Sequence, residues 1–478
     1  MCFVYKALCR LVCVLLLVLP VAQPAAASGG RPNIVFIVAD DLDYGTLPYF
    51  PNITQHVVNE GTSFERFFVT NSWCCPSRSS ILRSQYVHSH GVWTNTPPEG
   101  GFARFYELGL ERSTIGTWMK DAGYRTALMG KYLNHYPGNV VPKTYVPPGW
   151  DEWAVPVSHL YREYGYRLNE NGRVTRYGWG EEDYLSDVLA GKAGDFIAGS
   201  RTPFFLYLAP IAPHLPANSA VRHAGAFPGA RAPRTPSFNR EDVSREPEWL
   251  RSRPPLTKKQ IRRVDRRYRN RMRAMLGVDD LVGSVVETLR ETGKLDNTYI
   301  FFTSDNGFHQ GTHRLPKGKT TPFEEAIKVP LVVRGPGIPR NVTIGEMGAT
   351  VDLAPTISAL GGAVPPPFAE GRSLLPVLHG GQPAVWRKNA LIEFDRPTNR
   401  SSAAQTPVPP YRAVRTPRYT YVKYETGEEQ LYDLRSDPYQ LDNLAATASP
   451  ELLTDLRARL EAMRTCAGAN CLVADSTG

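Results

Sequence analysis

Asn33-Ile34-Val35-Phe36-Ile37-Val38 is an unbroken apolar run that stops at Asp40 and Asp41. A run without polar alternation marks a strand covered on both faces, as in a parallel sheet. A second such run, Thr298-Tyr299-Ile300-Phe301-Phe302-Thr303, stops at Asp305 and Asn306. Residues 126–129, 204–209 and 329–333 extend the set, with helical patterns between them, notably 113–122 and 268–292. Strands alternating with helices predict an α/β fold with a large, mostly parallel sheet. Ligands of such sheets gather beyond the carboxyl ends of the strands. Asp40 with Asp41, and Asp305 with Asn306, therefore become candidates for one site although about 265 residues separate them. Either pair alone reads as a solvated strand-end turn. Together they are a set of hard oxygen donors of the kind Ca²⁺ or Mg²⁺ prefers.

Upstream of the first strand, Lys6 and Arg10 precede an apolar run, and Ala25, Ala26 and Ala27 precede Ser28. That is the layout of a cleavable leader over residues 1–27, which predicts an exported protein. No stretch approaches the roughly 20 apolar residues of a spanning helix, so stable membrane insertion is not expected. The rest of the 478 residues is too long for one ordinary core. A catalytic domain over 28–385 and a smaller antiparallel C-terminal subdomain over 386–478 are expected, with a last helix from Pro450. Cys466 and Cys471 read as a local disulfide in an oxidising compartment, whereas the adjacent Cys74 and Cys75 ask for another explanation.

The formal charge of +9, two units of which lie in the leader, is compatible with an anionic substrate. Residues 251–273 are densely basic. A nucleic-acid footprint is one reading of that segment. Tyr268, Met272, Met275, Leu276, Leu281 and Val282 offer a buried stripe for an ordinary helix instead, so no nucleic-acid partner is expected. Attraction of a sulfated polyanion lies between the two.

Cys74-Cys75-Pro76-Ser77-Arg78, followed by Ser79, Ser80, Ile81 and Leu82 and then His88, His90 and Gly91, resembles the signature of the type I sulfatases. The resemblance implies an alkaline-phosphatase-like sandwich and a formylglycine made from Cys74 by a formylglycine-generating enzyme. A hydrated aldehyde offers one hydroxyl to attack sulfur and a second that lets the adduct collapse, whereas a serine would be trapped as its sulfate ester. The resemblance also implies that Asp40, Asp41, Asp305 and Asn306, with the residue at 74, hold a divalent cation, calcium rather than magnesium. Arg78 would hold the formylglycine. Lys131, in Gly130-Lys131, would contact sulfate, and His214 with Lys319 would face the departing oxygen.

Two departures stand out. The family's histidine two residues after the lysine is Leu133 here, which makes His135 the nearest substitute, and Arg83 and Ser84 replace the usual Thr and Gly. His309 and His313 are further candidates for the pocket wall. Gly130 to Asn134, 147–150, 183–185 and Leu315-Pro316 resemble the N-acetylglucosamine-6-sulfatase branch, which implies a sulfated glycan or small sulfated molecule as substrate. The alternatives are an arylsulfatase, a phosphate or phosphonate monoester hydrolase, and a catalytically dead protein that binds sulfated glycan.

Overall fold

The computed structural model describes residues 30–398 and 408–478, so the expected leader lies outside the described residues. Ten strands form one sheet: β1 (Asn33–Ala39), β2 (Thr62–Phe68), β3 (Arg125–Gly130), β4 (Glu152–Ser158), β5 (Arg167–Glu170), β6 (Arg173–Arg176), β7 (Phe204–Ala209), β8 (Thr298–Ser304), β9 (Leu331–Arg334) and β10 (Val342–Ala349). Their order is β10-β2-β9-β8-β1-β7-β3-β4-β5-β6. β1 is central and parallel to both neighbours, β7 and β8. Ile34, Phe36 and Val38 pack into one apolar layer and Val35, Ile37 and Ala39 into the other. Both faces of β1 are therefore dry, which is why its sequence shows no alternation.

Register positions the chemistry. Ala39 pairs with Ser304, so Asp40 and Asp305 leave the sheet as neighbours, and the Asp305 amide donates to the Ala39 carbonyl at 3.1 Å. The strand expected at 329–333 is β9, and it runs antiparallel to β8 and β2. The chain between β8 and β9 stays at the carboxyl end of the sheet to build the site, so the next strand has to run back. β5 and β6 add an antiparallel hairpin at the opposite edge.

The helix expected from 268 begins ten residues earlier and spans Lys258–Glu291. Thr257 accepts the Gln260 amide while the Gln260 side chain returns to Thr257, a reciprocal cap that starts the helix inside the basic segment. Beyond it, β11 (Ala390–Phe394), β12 (Tyr411–Arg415), β13 (Tyr419–Tyr424) and β14 (Glu429–Asp433) form a separate antiparallel sheet. The helix Pro450–Thr465 covers it through Leu456, Leu460 and Met463. A disulfide joins Cys466 to Cys471. No helix among the described residues is long and apolar enough to cross a membrane.

Candidate active site

The helix Cys74–Arg83 opens at Cys74, after an extended Trp73. Pro76 falls within the first turn, where its missing amide proton is tolerated. Arg78 follows Cys74 by four residues and so returns to the same face of the helix, a geometric reason for the motif's spacing. Its Nε donates to Asp305 Oδ2 at 2.7 Å and a terminal nitrogen donates to the Lys131 carbonyl at 2.9 Å, while the other terminal nitrogen is buried with no hydrogen-bond partner among the described residues.

Lys131 follows β3 through Gly130, whose φ of +102° and contact with β7 exclude a side chain: a Cβ would lie 2.1 Å from the Ala209 carbonyl oxygen. From there the Lys131 ammonium donates to Asp40 Oδ2 at 2.7 Å and lies 3.9 Å from Asp305 Oδ2. Asp41 adopts a left-handed backbone at φ 70°, a conformation a short polar side chain tolerates. Its amide donates to Asp305 Oδ1 at 3.1 Å, and Asn306 Nδ2 donates to Asp41 Oδ1 at 2.7 Å. Lys319 donates to Asp41 and lies 2.7 Å from Cys74 Sγ, which is itself 3.4 Å from Asp40 Oδ1.

His214 donates from Nδ1 to the Leu215 carbonyl at 2.6 Å, which turns Nε2 towards Asp41 Oδ2 at 3.7 Å. Asp40, Asp41, Cys74 and His214 each offer a ligand atom within 4.8 Å of the others. His214 and Lys319 are the members open to solvent, with 20% and 10% of their side chains exposed, so the cluster opens on their side.

Electrostatics follow from burial and proximity. Burial alone would raise the Asp40 and Asp41 carboxyls, but Lys131 beside Asp40 and Lys319 beside Asp41, with His214 near both, hold them below the usual carboxylate range. Asp305 is pushed up by burial and by Asp40 despite Arg78 and Lys131. Burial, then the Asp40 carboxylate, push the Cys74 thiol up. Burial lowers His214 against the pull of Asp40 and Asp41.

The residues fit a hard cation. Three carboxylates and an amide converge, and the buried Asn306 Oδ1 accepts no hydrogen bond from any described residue. An orphaned acceptor facing acidic neighbours is the arrangement a divalent ion completes.

The expected residues are not all gathered here. Leu133 is buried in the core, and the turn after it leaves His135 exposed with a φ of 64° and no hydrogen bond or ion pair to a described residue. His309 is buried between the Thr312 and Thr321 hydroxyls at 2.7 Å each. His313 stacks on Phe323 at 3.7 Å and faces Glu325, so neither histidine joins the cluster. The member that sequence reasoning missed is Tyr161. Its ring stacks on His214 with centroids 3.9 Å apart, lies 5.1 Å from the Lys131 ammonium, and its hydroxyl accepts from Asn134 Nδ2 at 3.0 Å. It sits in a turn between β4 and β5, and no motif marks it.

The family model described as "Sulfatase" matches residues 32–363, and one described as "N-sulphoglucosamine sulphohydrolase, C-terminal" matches 311–466. An N-acetylglucosamine-6-sulfatase of Capra hircus is 35% identical over 94% of this chain and 86% of its own length. An arylsulfatase of Volvox carteri is 32% identical over 97% of this chain and 79% of its own. A solved structure of a protein bound to its substrate D-glucosamine-2-N,6-O-disulfate superposes with a TM-score of 0.76 at 24% identity, over 90% of this chain and 97% of the other.

Proposed function

The chain belongs to the sulfatase family and hydrolyses sulfate esters, and from that premise we propose that it removes the 6-O-sulfate of glucosamine residues with a formylglycine made from Cys74 and a calcium ion. One observation supports the substrate: the N-acetylglucosamine-6-sulfatase of Capra hircus is 35% identical over 86% of its own length, against 32% over 79% for the Volvox carteri arylsulfatase, although both similarities run along nearly all of this chain. The bound glucosamine disulfate of the structural neighbour agrees with it.

The hydrated aldehyde at position 74 would supply the attacking hydroxyl and a second hydroxyl for release. Calcium held by Asp40, Asp41, Asp305 and Asn306 would polarise a sulfate oxygen. The chain's own side chains do the rest. Arg78 and Lys131 pin the Asp305 and Asp40 carboxylates from behind, so that the oxygens are preset. Lys319 and His214 occupy the solvent side, where the alcohol leaves; Lys319 holds a proton at Nζ for the departing oxygen, and His214, its Nδ1 proton given to the Leu215 carbonyl, faces that oxygen with Nε2. Cys74 is fully buried, so the oxidising enzyme reaches it before the chain closes. The leader-like residues 1–27 and the Cys466–Cys471 bond support maturation and action outside the cytoplasm.

The test is a panel of kcat/KM values for glucosamine 6-sulfate, other sugar sulfates and an aryl sulfate, with mass spectrometry of the peptide that contains Cys74. The expected result is a preference for the 6-sulfate and an aldehyde at 74. Turnover of the aryl sulfate alone would replace the glycan reading with the arylsulfatase one. Full activity with an unmodified cysteine would overturn the nucleophile.

A further inference from the structure

The Lys258–Glu291 helix presents a row of cations that the hydrolytic site does not use. Lys258, Lys259, Arg262, Arg263 and Arg266 are all exposed, and none makes a hydrogen bond, ion pair or ring contact with a described residue. The acid within this stretch, Asp265, is turned inward and held by Arg234 at 2.8 Å and by the Ala232 amide. Packing does not require the charges either, because the helix is fixed from its other face by Val264, Tyr268, Met272 and Met275.

Local electrostatics oppose the arrangement. Lys258 and Lys259 occupy the first turn, the positive end of the helix dipole, where no acid is present. Lys258, Arg262 and Arg266 repeat at four-residue spacing, as do Lys259, Arg263 and Arg267, which sets like charges over one another. The repulsion is felt inward: burial first, then Arg271, Arg266 and Arg263, lower the affinity of Arg267 for its proton. A face that works against its own helix and has no partner within the fold calls for one outside it.

Its position says which. Arg267 donates to the Pro316 carbonyl at 2.7 Å, so the basic helix is tied to the loop that carries Lys319. Lys258, Arg262 and Arg266 form a row about 12 Å long at 1.5 Å per residue. We propose that this face is an exosite that holds a sulfated polysaccharide by its anionic groups while another residue of the same chain occupies the hydrolytic site. The choice of a sulfated glycan rests on the function proposed above. A single-stranded nucleic acid is disfavoured because Tyr268, the aromatic side chain of this stretch, is buried and leaves no platform for bases.

The test is the triple variant Lys258→Glu, Arg262→Glu and Arg266→Glu in the full-length enzyme. Acids suit a helix start, so the variant should melt at or above the parent temperature. Binding of a long heparin-type oligosaccharide is measured by equilibrium titration at low and high salt, beside duplex DNA and vesicles of anionic phospholipid. Turnover is measured on a monosaccharide sulfate. The expected result is unchanged monosaccharide kcat/KM, with affinity for the long chain falling about tenfold or more at low salt and the parent's salt dependence largely gone. Unchanged affinity overturns the proposal, and so does an equal loss on the monosaccharide. Parent binding to DNA or vesicles as tight as to the sulfated chain also overturns it. If glucosamine 6-sulfate is not turned over but the variant loses the long chain, the exosite stands and the substrate assignment of the hydrolytic site falls.

Discussion

Two clusters of buried charge use the same side-chain types in different ways. At the junction with the C-terminal sheet, Arg387 stands between Asp352, at 2.5 Å, and Asp475, at 3.0 Å, and also donates to the Tyr86 hydroxyl; all three charged side chains are closed to solvent. The cation separates the acids, and the cluster joins the end of the chain to residues that follow β10. Around Cys74 three acids share two lysines, Lys131 reaching both Asp40 and Asp305 and Lys319 lying between Asp41 and Cys74, and two members of the cluster are open to solvent. Carboxylates that converge repel unless a cation comes between them, and repulsion grows as water is excluded. Burial of charge therefore does not mark a site by itself. Convergence of like ligands beside an opening does.

The largest expected effect breaks this contrast at the Cys74 cluster. Chelation should lower turnover by about 10³-fold or more, because a cation contributes several kcal/mol at a developing charge. Added Ca²⁺ should restore it and raise the melting temperature. Asp305→Asn should show the same loss without recovery at equal Ca²⁺, while Arg387→Met keeps the parent kcat in its folded fraction. Full activity after exhaustive chelation would remove the metal from the account.

The next effect belongs to the other cluster and is read in stability. Arg387→Met leaves Asp352 without a cation in the dry junction while Arg372 still holds Asp475, which should cost about 3–5 kcal/mol. Denaturant unfolding measures it. A loss below about 1 kcal/mol would mean that the junction is not held by this pair.

How legible these regions were differs for physical reasons. β1 and β8 announce themselves because both faces are buried and their central positions are all apolar. β6, with Arg173, Val174, Thr175 and Arg176, is an exposed edge and carries no such pattern. The basic stretch hid the start of its helix because cations obscure the apolar stripe that only emerges at Val264. In the site, the Cys74 and Arg78 spacing is local and readable, and the strand-end acids follow from topology. Tyr161 is not readable, since its contacts to Lys131 and His214 exist only after the sheet has formed. His135 shows the converse: nearness to Lys131 in sequence did not bring it to the cluster.

The smallest expected effect sharpens the contrast, because the junction also contains a group that titrates. His88 lies in the catalytic part, its Nδ1 is 2.9 Å from Glu393 Oε2 in β11, and its Nε2 is 2.9 Å from the Cys466 carbonyl beside the disulfide. Burial pulls its pKa down, but the Glu393 carboxylate and the carbonyl outweigh that and raise it to about 9. The folded protein therefore binds this proton more tightly than the unfolded chain, whose histidine titrates near 6.5. The resulting stability is fully present below about pH 6.5 and is lost as pH rises through about 9. With 19% of the side chain exposed, solvent screening brings the contribution to about 1–2 kcal/mol. Arg387 keeps its charge throughout this range, so the two contacts separate on a pH scan. Unfolding free energies for the parent and His88→Gln, taken at about pH 6 and about pH 10, should converge at the higher pH and differ by the stated amount at the lower. Equal gaps at both would mean that His88 fills space at the junction without carrying charge there.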